Sequence, residues 1–179
     1  MQLSWSGIIR LVCWETARSA AGPEGRRLAA VGNDGRINLW DTATGEKLWS
    51  AAVGGIGLSV AFSADGKLVA ADASVRLSGE GSKVKIFDAE TGEEKRTLSG
   101  LVGNVTRIAF SPDSSRLVTA DEERPRVWNA SNGQELLALP CPERVHGLTF
   151  TPDGYRLIVV AGEQIQIFDG TPLGRGEED

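Results

Sequence analysis

The stretch that decides the fold is VTRIAFSPDSSRLVTADEERPRVWNASNG, residues Val105–Gly133. Three short apolar-rich segments in it are separated by turns built from Pro, Asp, Ser, Asn and Gly. Segments of this length with alternating apolar and polar residues indicate β-strands with one buried face. The stretch therefore predicts three antiparallel strands, a, b and c, and the turn Asn129–Gly133 predicts a reversal into a fourth strand, d.

The same pattern occurs four times in the chain. The aromatic residue that ends strand c recurs as Trp40, Phe87, Trp128 and Phe168. We align the ends of strand a at Trp14, Phe62, Phe110 and Phe150. Intervals of roughly 40 to 50 residues are typical of repeat architectures. One four-stranded unit cannot bury both of its faces alone, so the units are expected to stack side by side.

The repeated motif V-x-x-[VI]-[AT]-F-[ST]-P-D-G … L … [WF]-D-x-x-[TN]-G resembles that of the WD-repeat β-propeller family, from Met1 to about Leu173. The resemblance implies an all-β fold, a β-propeller of four-stranded antiparallel blades with about four blades in this chain. Two features depart from the family pattern. The Gly-His pair before strand a is absent, and the aspartate of the turn between strands b and c is clear only at Asp34. The family's internal hydrogen-bond network is therefore not expected, and the blades should depend more on apolar packing.

The domain boundaries follow from this repeat. Residues 1–173 are interpreted as one domain, with the first a–c strands in 8–40, further units ending at 87, 128 and 168, and an acidic tail at 174–179. The last unit has no strand d, and residues 1–5 occupy the register of such a strand, so we expect them to close the last blade. Four blades make a partial ring. Three arrangements remain open: the C-terminal part of a larger propeller, half of an eight-bladed homodimer or, least favoured, a closed ring of four blades.

Two units contain extra residues. The first lies between Trp14 and Leu28 and includes TARSAAG, which we interpret as an insertion in the turn between strands a and b. The second, SVRLSGEG, lies between Leu68 and Phe87 and is interpreted as a longer loop between strands b and c. Loops on a rigid scaffold often carry recognition, although tolerated surface insertion is the simpler reading of the first.

Composition argues against several classes of protein. The chain of 179 residues has 19 basic and 24 acidic residues, a net charge of −5, and no basic stripe of the kind that binds nucleic acid. Its apolar runs are too short to span a bilayer, and its first residues lack the pattern of a signal peptide. We therefore expect no nucleic-acid or membrane partner and a cytoplasmic location. Cys13 and Cys141 fit no metal or disulfide spacing.

No constellation of catalytic residues is evident. His146 is the one histidine, and no Ser, Cys or paired carboxylate stands at a fixed offset from it. The acidic run Asp121–Glu123 is too short for a calcium loop, and GEGSK lacks the spacing of a phosphate-binding loop. The sequence therefore predicts no catalytic residue, no metal site, no cofactor and no enzymatic activity.

The family resemblance implies binding residues at the top face, where strand a begins near the central channel. The positions at the start of strand a differ from unit to unit while the framework repeats. With their neighbours, the predicted partner-binding residues are Asn33, Arg10, Leu58, Asn104, Thr106, Arg144 and His146.

The leading hypothesis is a non-catalytic scaffold that presents this top face to another protein. One alternative is a cofactor-binding propeller, because WDTATGEKLW also resembles a blade of the quinone-dependent dehydrogenases. That pattern has a tryptophan at the end of each unit, whereas here Trp49 is matched by Leu98 and Leu139. A third hypothesis is that these are regulatory C-terminal blades of a larger multidomain protein.

Overall fold

The structure, a computed structural model, describes residues 18–74, 81–141 and 143–170. Every regular element in these ranges is a β-strand, so they contain no helix long and apolar enough to cross a membrane. The strands form four separate antiparallel sheets, each built from consecutive strands. The predicted all-β fold of repeated antiparallel sheets is confirmed.

The strands follow the chain in order. The first sheet contains β1 (Arg18–Ala21), β2 (Arg27–Val31), β3 (Arg36–Asp41) and β4 (Lys47–Ala52). The second contains β5 (Val60–Phe62), β6 (Leu68–Ala73), β7 (Lys83–Asp88) and β8 (Glu94–Leu98). The third contains β9 (Arg107–Phe110), β10 (Arg116–Ala120), β11 (Pro125–Asn129) and β12 (Glu135–Ala138). The fourth contains β13 (Val145–Phe150), β14 (Arg156–Ala161) and β15 (Gln164–Asp169).

The first strands of the four sheets lie next to one another. β1 contacts β5, β5 contacts β9, and β9 contacts β13. The sheets therefore stand flank to flank like the blades of a propeller, with the first strand of each innermost. The start of each innermost strand faces the same end of the molecule, which we call the top face.

In the first three sheets, the turn after the third strand opens with an Asx residue, as the sequence predicts. In the first sheet, Asp41 Oδ1 accepts hydrogen bonds from the backbone N–H of Ala43 and Thr44, both at 2.8 Å. Gly45 closes the turn at a φ of 76°, where a side chain would be strained. The two backbone hydrogen bonds hold the pKa of Asp41 below its ordinary value. Asp88 and Asn129 accept equivalent bonds in the next two sheets.

The first unit departs from the predicted alignment. Ala21 pairs with Leu28, as Phe62 pairs with Val69, so strand a of this unit ends at Ala21 and not at Trp14. Most of the predicted insertion TARSAAG is thus the strand β1 itself. The described a–c strands of the unit run from residue 18 to 41 rather than from 8 to 40, and residues 1–17 lie outside the described residues.

The first unit was aligned wrongly because Ala21 occupies the position at which the other units have phenylalanine. The following turn, GPEG, also lacks the aspartate of the other units. It is nevertheless the same kind of turn: Gly25 has a φ of 67°, and its N–H donates to Gly22 O at 2.9 Å. The second predicted insertion does fall between β6 and β7, although residues 75–80 lie outside the described residues.

The hydrophobic core lies between neighbouring sheets. One cluster joins Ile37 and Leu39 of the first sheet to Val69 and Phe87 of the second, and two similar clusters join the later pairs of sheets. This agrees with the expectation that the blades depend on apolar packing.

The third sheet contains one hydrogen bond between two buried polar side chains, of the kind that the family's internal network would include. Trp128 Nε1 donates to Thr119 Oγ1 at 2.9 Å, and both side chains are buried. In the first sheet, β2 has Ala30 at the position that corresponds to Thr119, so the equivalent Trp40 has no hydroxyl there.

The fourth sheet has three strands among the described residues, as the shorter last repeat predicts. Its outer strand, β15, exposes 69% of Ile165 and 61% of Ile167. Beside it, an apolar groove of about 390 Å³ is lined in part by Leu137, Tyr155 and Phe168. The predicted closing strand, residues 1–5, and the predicted acidic tail lie outside the described residues.

Candidate functional site

The top face contains one cavity that residues from all four sheets line. Its volume is about 470 Å³, and it opens where the innermost strands begin. We call this opening the mouth, and its lining residues are Arg18, Leu58, Asn104, Thr106, Arg107, Arg144, Val145 and His146. A second cavity of about 300 Å³ shares four of these residues and adds the next positions along β1 and β5.

Five of the seven predicted binding residues lie together around the mouth. They are Leu58, Asn104, Thr106, Arg144 and His146. Asn33 is exposed in the turn between β2 and β3 and does not line the mouth. Arg10 lies outside the described residues.

Three further residues line the mouth and are absent from the predicted set: Arg18, Arg107 and Val145. Arg18 was missed because the first unit was aligned too early in the chain. Arg107 and Val145 each lie one position from a predicted residue, on the first strands of the third and fourth sheets. In the corrected register of the first unit, Arg18 matches Arg107, so an arginine at the start of the innermost strand is a signal that the two units share.

The charge of the mouth is positive. Three arginines line it, and no aspartate or glutamate is among its described lining residues. Arg18 and Arg144 are exposed, and neither side chain forms a hydrogen bond or ion pair with the residues that the structure describes. The chain as a whole has a net charge of −5, whereas these arginines concentrate positive potential in a concave site.

Arg107 is held in a fixed position between the third and fourth sheets. Its Nε donates to His146 O at 2.7 Å, and its Nη1 donates to Thr106 O at 2.6 Å. Both acceptors are neutral carbonyl oxygens, so neither of them compensates the positive charge of the guanidinium. Its Nη2 makes no hydrogen bond within the described residues and remains a donor at the mouth.

A buried carboxylate fixes the second sheet's contribution to the mouth. Asp72 is fully buried, and its Oδ1 accepts the backbone N–H of Leu58 at 2.6 Å and of Ser59 at 2.8 Å. Its Oδ2 accepts the Ser74 hydroxyl at 2.8 Å. Burial raises the pKa of Asp72 to about 6, although these hydrogen bonds act in the opposite direction. Asp72 therefore positions Leu58 without touching the cavity itself.

Acidic residues stand just outside the mouth. Asn104 donates from Nδ2 to Glu122 Oε1 at 2.8 Å, which holds this glutamate one side chain away from the lining. Glu143 directly precedes Arg144 in the chain and is exposed. The top face thus has a cationic centre and acidic residues beside it.

The described residues offer little for metal or acid–base chemistry. No cluster of three or more His, Cys, Asp or Glu side chains within residues 18–74, 81–141 and 143–170 could hold a metal ion. Every buried side-chain nitrogen or oxygen in these ranges has a hydrogen-bond partner. What the mouth can do chemically is bind: it has fixed donors, positive charge and an apolar wall formed by Leu58 and Val145.

Trp49 has a packing role in the outer part of the first sheet. Its Nε1 donates to Ala89 O at 3.2 Å, and its ring lies 6.2 Å from that of Phe87, both on the second sheet. Its ring also covers Gly92, where an added Cβ would lie 2.7 Å from the indole. Trp49 therefore packs between the first and second sheets.

The sequence matched Trp49 with the wrong residues. Leu39 pairs with Trp49, and the corresponding pairs are Ile86 with Arg96 and Val127 with Leu137. Arg96 and Leu137 are therefore the equivalents of Trp49, and Leu98 and Leu139 each lie two positions further on. In the second unit the sequence favoured Leu98 over Arg96 because leucine, like tryptophan, is apolar.

Two protein-family models match the chain. Residues 6–99 match the model described as Outer membrane protein assembly factor BamB, and residues 92–129 match the model described as WD domain, G-beta repeat. Together they cover the first two sheets and the first three strands of the third sheet.

Curated relatives agree with these matches. The chain is 24% identical over 148 residues to the chicken (Gallus gallus) Serine-threonine kinase receptor-associated protein, which covers 82% of this chain and 41% of the relative. It is 32% identical over 183 aligned residues to human Apoptotic protease-activating factor 1, covering 89% of this chain and 14% of the relative. It is also 32% identical over 76 residues to Small ribosomal subunit protein RACK1 of Brassica napus, covering 42% of this chain and 23% of the relative.

Proposed function

Since this chain belongs to the WD-repeat β-propeller family, and its first half to the repeat family described as Outer membrane protein assembly factor BamB, we propose that it is a non-catalytic interaction scaffold. It presents the mouth to a partner protein. The observation that carries the proposal is the convergence of side chains from four sheets on one polar cavity. Rigid strands that project varied side chains into one concave site are well suited to recognition.

The names of the relatives support a role in association. One relative is named for its association with a receptor, another as a component of a ribosomal subunit, and a third as a factor that activates a protease. The chain spans about two fifths of the first of these relatives. The proposal rests on the blades described above. Any activity or partner of a longer protein that contains them is likewise proposed.

The packing of Trp49 bears on the alternative of a quinone-binding blade. Its indole already donates to Ala89 O and packs against Phe87 and Gly92 of the second sheet. A structural role thus accounts for the residue that suggested a cofactor. The BamB description that matches this part of the chain names an assembly factor, which favours the scaffold.

Charge reversal at the mouth tests the scaffold hypothesis. We expect the double variant Arg18→Glu/Arg144→Glu to lose a partner that the wild-type protein captures reproducibly from cell extract, with retention reduced about tenfold or more. Both side chains are exposed and form no hydrogen bond or ion pair with the described residues, so the variant should unfold at the wild-type temperature. Quantitative mass spectrometry of the captured proteins measures the change.

A matched control separates the mouth from general charge. Lys47→Glu/Lys67→Glu changes the net charge by the same amount, and both lysines are exposed and outside the mouth. This control should retain the partner. Equal retention by the mouth variant and the wild type would contradict the proposal, as would equal loss in the control.

A further inference from the structure

We propose that the mouth binds a short acidic segment of a partner protein and accepts one or two carboxylate side chains between Arg18, Arg107 and Arg144. This inference rests on the proposed function, because it specifies the chemistry of the segment that the scaffold recognises. The cavity is concave and cationic, and its described lining contains no acid that would neutralise the three arginines.

Arg107 is the central donor in this site. The carbonyl oxygens of Thr106 and His146 fix its guanidinium at 2.6 and 2.7 Å, so little side-chain freedom is lost when a ligand binds. The planar group suits carboxylate oxygens, and charge-assisted hydrogen bonds of this kind are shorter and stronger than neutral ones. Because its Nη2 has no partner among the described residues, it is the donor that a ligand carboxylate would meet first.

Arg18 and Arg144 supply charge from two other sheets. Their side chains are exposed and unpaired within the described residues, so binding need not first break an internal ion pair. Leu58 and Val145 give the cavity apolar walls, against which the methylene groups of a glutamate can pack.

The acids beside the mouth limit the length of the acidic segment. Glu122 is held next to the lining by Asn104, and Glu143 precedes Arg144. Carboxylates that extend beyond the centre would face these two glutamates and be repelled. The site therefore favours a localised pair of acids over a long polyanion, which also argues against nucleic acid.

Fluorescence anisotropy with defined peptides tests this inference. The probe is a labelled hexapeptide, Gly-Ser-Glu-Glu-Ser-Gly, and the matched neutral peptide has glutamine at both central positions. We expect the glutamate peptide to bind about tenfold more tightly than the glutamine peptide at low salt. The preference should shrink as the ionic strength rises above about 0.1 M, where the screening length falls below about 10 Å.

Variants assign the preference to the mouth. Arg18→Gln/Arg144→Gln should weaken glutamate-peptide binding about tenfold. Arg107→Lys keeps the charge but removes the planar fork, and should weaken binding about threefold. The control Lys47→Gln/Lys67→Gln should bind as the wild type does. Equal binding of the two peptides, no binding of either, or the same loss in the control variant would each overturn the proposal.

Two further probes define the ligand class. A peptide with eight glutamates should bind no more tightly than the one with two, because the added carboxylates face Glu122 and Glu143. Much tighter binding of the longer peptide, or of a single-stranded oligonucleotide, would replace the proposal with a general polyanion surface. If the acidic peptide fails while capture of a protein partner still depends on Arg18 and Arg144, the scaffold function stands and only the acidic ligand is refuted.

Discussion

We expect Phe87→Ala to lower the free energy of unfolding by about 3–5 kcal/mol. Phe87 is only 1% exposed and belongs to the cluster that joins the first and second sheets. Its removal leaves a cavity that the strands cannot close, because both sheets are held by their own ladders. It also removes the ring that Trp49 packs against. Urea denaturation followed by tryptophan fluorescence measures the change.

Phe168 provides a matched control at the same repeat position. It pairs with Leu157 as Phe87 pairs with Val69, but it is half-buried beside the open groove of the fourth sheet. Phe168→Ala should therefore cost clearly less, about 1–2 kcal/mol. Equal losses for the two variants would contradict the claim that the core lies between neighbouring sheets.

The second large effect is expected at Asp72. Asp72→Ala should destabilise the protein by about 2–4 kcal/mol, because it leaves the N–H groups of Leu58 and Ser59 without their acceptor in a buried site. Asp72→Asn should cost much less at pH 7, since an amide can still accept both bonds through Oδ1 and donate to Ser74 Oγ. Asp34→Ala, which removes one exposed bond to the Arg36 N–H, is the control and should change stability by less than about 0.5 kcal/mol.

The pH dependence of the same variants tests the buried charge. The pKa of Asp72 is raised to about 6 in the folded protein, so between about pH 4 and 6 the folded state holds a proton that the unfolded state has lost. Its contribution to stability is present below about pH 4 and is lost as the pH rises through about 6.

The measurable result is a difference between two proteins. The stability of Asp72→Asn relative to wild type should increase as the pH rises from 4 to 7. The aspartates of the turns do not obscure this change between pH 4 and 7. The pKa of Asp113, for example, is lowered to about 2 by the Ser111 and Ser115 hydroxyls, so its contribution is lost only as the pH falls below about 4. A constant difference from pH 4 to 7 would show that Asp72 stays ionised throughout.

Much of the fold could be predicted from the sequence because its turns have specific chemistry. Asp41 and Gly45, like their counterparts in the next two sheets, fix the reversal after each third strand, and alternation fixes which face is buried. The first unit was misaligned because Ala21 replaces the aromatic residue that ends strand a elsewhere, and the turn GPEG lacks the aspartate of the other units. Trp14 was taken as that aromatic residue instead. Strand pairing, which depends on distant residues, was needed to correct the register.

The candidate site could be predicted only in part. The third and fourth units were aligned in the observed register, so Thr106 and His146 were identified before their contacts were known. Arg18 was not identified because the first unit was misaligned. Asp72 was missed because it acts through the backbone N–H groups of Leu58 and Ser59, which lie 14 and 13 residues earlier, just before β5. The role of Arg107 depends on carbonyl oxygens of two sheets, which no local pattern reveals. The closing strand of residues 1–5, the homodimer and the cytoplasmic location stay predictions.

The most direct test of the central claim is a photo-crosslink from the mouth itself. His146 is exposed at the mouth, whereas Lys67 is exposed in the turn at the opposite end of the sheets. A photoreactive phenylalanine derivative placed at position 146 should crosslink to the captured partner, and the same group at position 67 should not. Crosslinking from position 67 alone, or equally from both positions, would contradict the claim that the partner binds where the four innermost strands begin.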